Sequence, residues 1–247
     1  MNSSASEEGG KRTGYEFTYD RYRQLLQELI DVERNFTTYG DTIETGDVLL
    51  RHDVDLSVER AVRMAEIEAS KDVQSTYFLL VSSQMYNVLN DEIRERISRI
   101  RSLGHNIGLH FSTHQYYDED PGNEPLTDQV ETERQILKLA TGVSVDTVSF
   151  HIPPNWILRR SFDDFISTYE ERFFSEIPYR GDSNQRWRDK LPFDSGYPEK
   201  IQILVHPGLW GENDTEFEDC VYRAVDETTE SLDRFVRRQY IDDELSR

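Results

Sequence analysis

A chain of 247 residues with 36% hydrophobic and 11% aromatic residues can bury one sizeable core, which excludes global disorder. Its 48 acidic against 28 basic residues leave a net charge of −20, which repels phosphate backbones and excludes nucleic acid as the main partner. One cysteine, Cys220, excludes an intramolecular disulfide, and no run of about 18 apolar residues is present to span a membrane.

Only five of the cations are lysine, and the other 23 are arginine. Abundant carboxylates with little lysine resemble the composition of halophilic proteins, in which salt screens surface repulsion. The first 13 residues read as a disordered tail without an apolar signal sequence. A cytoplasmic location is the expectation.

Residues 19–36 then place apolar side chains at helical spacing, with Asp20 as a possible cap. Residues 47–53, "DVLLRHD", read as a strand. Residues 56–71 follow as a helix with Ser57 at its N-cap and Val58, Ala61, Val62, Ala65 and Ala69 on one face. "VQSTYFLLV" (73–81) is rich in strand formers. Residues 89–104 form a helix stopped by Gly104, "HNIGLHF" (105–111) a short strand, and 127–142 a helix stopped by Gly142. "VDTVSFH" (145–151) and "KIQILVH" (200–206) are further strands, and the last 30 residues read as an acidic amphipathic helix. Strand–helix alternation at this spacing implies a parallel sheet, open or closed into a barrel.

Four of these strands end in a histidine: His52, His110, His151 and His206. In parallel α/β folds the functional site lies at the carboxyl ends of the strands. Strand alternation puts Leu49, Arg51, Asp53 and Asp55 on one face. Two carboxylates there repel unless a cation or proton intervenes, and a metal ligand beside a catalytic base accounts for both. His110 and His114 are four apart, so a turn or helix can bring them together. With one carboxylate they make a three-ligand site with open positions, as in catalytic metal centres. The absence of HExxH speaks against a zincin protease.

"GHNIGLHFSTH" (104–114), "RHDVD" (51–55) with the following "ERAVRMAEIEAS" and "STYFLL", "FHIPP" (150–154), "DSNQRWR" (182–188) and "ILVHPGLW" (203–210) together resemble the motifs of the polysaccharide deacetylases, carbohydrate esterase family 4. The likeness is to a branch with D-x-D in the first motif, and it spans residues 47–210. It implies a distorted, incomplete (β/α) barrel of about seven strands, forming a single catalytic domain over 14–247. It implies Asp53 as general base, His206 as general acid, and Asp55, His110 and His114 as metal ligands. His151 stands where the family carries an arginine that pairs with the catalytic aspartate, and Arg51 is the candidate replacement. Pro153, Trp187 and Trp210 fall in the remaining motifs as binding or supporting residues. Zinc is the first choice of ion, and cobalt, manganese, nickel or iron suit the same ligands.

The implied reaction is hydrolysis of an acyl group, acetyl in the first instance, from an N-acylated sugar or glycan precursor such as a nucleotide sugar. Trp156, Trp187, Trp210, Tyr116 and Tyr117 follow the motif segments and could stack on sugar rings or simply fill the core. Three other readings are a hydrolase of N-formyl or cyclic-ureide bonds, a non-catalytic metal-containing carbohydrate binder, and a 2-His-1-carboxylate iron oxygenase. The last lacks the usual H-x-D spacing.

Overall fold

The computed structural model describes residues 13–242. Nearly all of the expected tail therefore lies outside the described residues. Thr13, its last residue, is tied down: its N–H donates to the Arg188 carbonyl at 2.5 Å and its hydroxyl to that of Trp187 at 2.8 Å.

In chain order the elements are α1 (Tyr19–Asp31), β1 (Asn35–Thr37), β2 (Asp47–Val54), α2 (Val58–Ala69), β3 (Thr76–Leu80), α3 (Asp91–Ser102), β4 (Asn106–Phe111), α4 (Asn123–Thr141), β5 (Thr147–Phe150), β6 (Ile166–Ser167), α5 (Glu171–Phe174), β7 (Tyr179–Gly181), β8 (Ile201–Val205) and α6 (Phe217–Val236). Ser57 caps α2 through a hydrogen bond from the Arg60 N–H. At α1 the cap is Thr18 rather than Asp20, because the Thr18 hydroxyl accepts from the Arg21 N–H at 3.1 Å. Gly142 ends α4 at φ 76°, a left-handed conformation that costs glycine no Cβ clash.

The sheet runs β6-β5-β4-β3-β2-β8-β7, and every pair is parallel. β1 joins the first half of β2 and β3 the second half, on the same edge. β6 and β7 are the ends of the path, and among the described residues no ladder joins them. The result is a parallel sheet, as the strand–helix alternation implies, and the incomplete α/β barrel that the resemblance implies. β1, β6 and β7 have only two or three residues each, too few to display an alternating pattern in sequence.

β2 is buried along its whole length, as a central parallel strand covered on both faces must be. Leu49 packs inward with Tyr39, Phe78 and Phe173, while Val48 and Leu50 pack outward beneath α1 and α2 with Tyr22, Leu26, Met64 and Trp210. His52 also faces outward. Its Nε2 lies 2.6 Å from Glu68, a fully buried carboxylate on α2 that accepts in addition from Tyr22, Ser75 and Tyr77. Burial would raise the Glu68 pKa, but His52 and His105 nearby hold it below the ordinary range. His52, two residues before the end of β2, thus belongs to a structural network on the opposite side of the sheet from its neighbours Arg51 and Asp53.

A second buried carboxylate lacks such compensation. Glu133 on α4 is 1% exposed, accepts one hydrogen bond from Tyr116 at 2.5 Å, and its Oε2 has no partner. Burial raises its pKa from 4.5 to about 7, against the opposing Tyr116 hydrogen bond. The folded state therefore binds this proton more tightly than the unfolded chain, so stability falls as pH rises from the unfolded value through about 7. Glu133→Gln will raise stability at pH 8 by about 1–2 kcal/mol and leave it nearly unchanged at pH 4. Denaturant melts of both proteins at the two pH values check this, and an equal effect at both would show that the proton is not involved.

Candidate active site

Parallel pairing puts the carboxyl ends of β2, β4, β5, β7 and β8 side by side. There Asp53, Asp55, His110, His151 and His206 line one cavity. The alternation of β2 delivers Arg51, Asp53 and Asp55 to the inner face. The register of β4 against β5, His110 opposite Ser149 and Phe111 opposite Phe150, brings His151 beside His110.

Arg51 is fully buried and clamps Asp53 with both forks, Nε to Oδ1 at 2.8 Å and Nη2 to Oδ2 at 2.7 Å. Its remaining N–H groups donate to Thr168 at 2.9 Å, to Tyr169 at 3.1 Å and to Ser149. Burial would raise the Asp53 pKa, but Arg51 outweighs it, and the carboxyl titrates below the usual carboxylate range. The arginine–aspartate pair thus forms within one strand, two residues apart.

Asp55 Oδ1 lies 3.1 Å from His110 Nε2 and 3.2 Å from His151 Nδ1, and those two nitrogens are 3.2 Å apart. The His110 Nδ1–H has an acceptor in Ser149 Oγ at 3.0 Å, so its Nε2 lone pair is free to face the cluster. Asp55 Oδ1 is buried, and no well-directed hydrogen bond reaches it. Three electron-pair donors converging on a small space around such an atom fit a divalent cation. Burial opposes ionisation of Asp55, but the histidines around it, His110 first and then His151 and His206, favour the charged form and keep its carboxyl far below the ordinary range.

His114, expected as the third ligand, is elsewhere. β4 ends at Phe111, and the tight turn Thr113–Gln115 swings His114 outward, where its Nε2 lies 2.9 Å from the Ile152 carbonyl. That contact braces the loop after His151, in which Ile152 has φ 45°, a strained value for a β-branched residue. The local four-residue spacing pointed to His114; His151, 41 residues on and just past the end of β5, lies beside His110 instead.

Across the cavity, His206 Nε2 lies 3.9 Å from Asp55 Oδ2. Its Nδ1 meets Asp182 Oδ1 at 2.6 Å, and Asp182 Oδ2 accepts from the Trp210 indole N–H at 2.8 Å. Burial would lower the His206 pKa, but Asp182 and then Asp55 push it up to about 9, so the imidazolium is the neutral-pH form.

Pro153 lines the cavity, whereas none of the three tryptophans does. Trp187 and Trp210 are buried against Tyr15 and Phe17, Trp156 packs beside Arg160, and Tyr116 stacks on Phe111. Of the rings that could stack on sugar or fill the core, Trp187 and Trp210 fill the core, and Trp210 reaches the site only through Asp182. Sequence reasoning missed Asp182, Ser149, Thr168 and Tyr169. Ser149 carried a signal, as a hydroxyl set between Val148 and Phe150 two residues before His151.

No protein-family model matches this chain, and no curated protein sequence is similar to it. Solved structures are. A family 4 carbohydrate esterase from Bacillus anthracis is 17% identical with a TM-score of 0.41, over 84% of this chain and 86% of that one. The catalytic domain of a peptidoglycan N-acetylglucosamine deacetylase from Eubacterium rectale is 13% identical with a TM-score of 0.43, over 78% and 91%. A CE4 family pseudoenzyme from Bacillus anthracis is 14% identical with a TM-score of 0.42, over 74% of this chain, which spans only 60% of that protein's length. Likeness at this level leaves the chemistry to be read from the residues themselves. The solved structures similar to this chain include members of the family its sequence motifs resemble.

Proposed function

We propose that this chain is a metal-dependent hydrolase that removes an acyl group from the nitrogen of an N-acylated sugar. One observation carries the reading. An ionised carboxylate held by a buried arginine and a protonated histidine held by a buried aspartate flank the Asp55, His110 and His151 cluster on opposite sides. Two titratable groups pushed in opposite directions are the signature of a base and an acid poised together.

A divalent ion held by Asp55, His110 and His151 would supply Lewis-acid polarisation of an amide carbonyl and ease deprotonation of water. Asp53 Oδ2 faces the cluster, 3.7 Å from His110 Nε2, and takes a proton from the attacking water. Arg51 keeps that carboxylate charged and oriented. As the C–N bond breaks, the His206 Nε2–H gives its proton to the departing nitrogen. The products are a carboxylate and a free amine. Zinc remains the first choice among the ions that imidazole and carboxylate accept.

The test is release of carboxylate from N-acylated amino sugars by zinc-loaded protein. Turnover is expected to stop on chelation and to return with added ion. Ion uptake with no release from any N-acyl, N-formyl or ureide compound would replace this reading with that of a binding protein.

A further inference from the structure

Beyond the cluster itself, the cavity is mostly apolar, with Ser183, Asn184 and the phenols of Tyr169 and Tyr179 as its other polar lining. Its volume is about 660 Å³, and apart from tyrosine phenols its ionisable lining groups are Asp53, Asp55, His110, His151 and His206. No lysine or arginine lines it. On the β5 side the walls are Phe150, Ile152, Leu158 and Phe174. On the β8 side they are Leu56, Leu209, Phe217 and Val221. A sugar pushed against the Phe150, Ile152, Leu158 and Phe174 wall would leave hydroxyls desolvated and unpaired, which is costly. A nucleoside diphosphate would meet two aspartates and no cationic fork.

The direction of the chemistry assigns the two sides. His206 must reach the leaving nitrogen, so the amine part lies toward β8. The carbonyl lies at His110 and His151, and the acyl substituent continues toward Phe150, Leu158 and Phe174.

We infer that the substrate carries an apolar acyl chain longer than acetyl, on an amine that bears no phosphate. This rests on the deacylase reading of the site. Burying each methylene against Phe150, Leu158 and Phe174 strengthens binding about fourfold at best.

The experiment uses the zinc-loaded full chain and glucosamine N-acylated with acetyl, butanoyl, hexanoyl or octanoyl groups, plus a nucleoside-diphosphate-linked N-acetylhexosamine. Hydrolysis is followed as kcat/KM, and binding is followed by calorimetry in parallel. From acetyl to hexanoyl, kcat/KM and affinity are both expected to rise at least tenfold. The Leu158→Asn variant is expected to flatten that dependence. Affinity that climbs with chain length without turnover supports the chain-length inference while the deacylase reading fails. Turnover that is flat with chain length, or fastest on the nucleotide-linked compound, overturns the inference and keeps the deacylase reading. A flat affinity series with no turnover overturns both.

Discussion

Replacing Asp182 with asparagine will lower kcat by about 10²- to 10⁴-fold, the range expected when a general acid is lost, while the divalent ion stays bound. Asp182 lies outside the cation cluster and does not itself line the cavity, yet it sets the charge state of His206, which does. Its carboxylate meets Nδ1 at 2.6 Å and accepts from the His206 backbone N–H at 3.1 Å. The sign of the pH effect follows. A general acid works only when protonated, so wild-type kcat will hold below and fall as pH rises through about 9. Without the aspartate the imidazole returns toward an ordinary value of about 6.5, and the alkaline limb moves to lower pH. Part of the loss should therefore be recovered by assaying the variant near pH 5.5. A uniform loss with an unmoved alkaline limb would remove His206 from the acid role.

Arg51→Met will destabilise the fold by about 3–5 kcal/mol, the cost of leaving one member of a buried ion pair uncompensated. For a chain of 247 residues that is a fall in melting temperature of roughly 10 °C. The side chain is fully buried, and Asp53 would keep only Ser149, at 3.3 and 3.4 Å, as a hydrogen-bonding partner. With Arg51 gone, burial raises the Asp53 pKa. The penalty is then largest at neutral and alkaline pH and shrinks as the carboxyl protonates on acidification. Arg51→Lys will rescue little, because an ammonium cannot make the two-pronged contact and still reach Thr168 and Tyr169. Thermal melts of the three proteins at pH 5 and pH 8 test this. A melting temperature within 2 °C of wild type in Arg51→Met, on the scale of about 1 kcal/mol, would show that the pair contributes little.

Local physics was legible in the sequence where one element decides the outcome. The two-residue alternation of β2 puts Arg51, Asp53 and Asp55 on one face whatever surrounds the strand. Ser57 and Gly142 cap their helices by chemistry confined to one turn. What was not legible depended on register between distant strands. His114 is the local partner of His110 by spacing, but the chain leaves β4 into a turn that points it outward. His151 takes the position because β5 lies in register beside β4. Asp182 was hidden because β7, which presents it, has three residues and no periodicity. The tryptophans misled for a related reason: a ring beside a motif reads equally well as rim or core, and the contacts that decide between them come from the N-terminal segment around Tyr15 and Phe17. His52 lies near a strand end like the others, but its place in the alternation, opposite to Arg51 and Asp53, turns it toward Glu68.

The cation site is the most exposed part of the account, because Asp55, His110 and His151 must act together. Divalent-metal content should be measured by mass spectrometry on wild-type protein, His151→Ala and His114→Ala, each loaded with zinc and freed of excess. The expected result is about one ion per chain in the wild type and in His114→Ala, and near none in His151→Ala. Retention of the ion by His151→Ala together with its loss from His114→Ala would contradict the site described above.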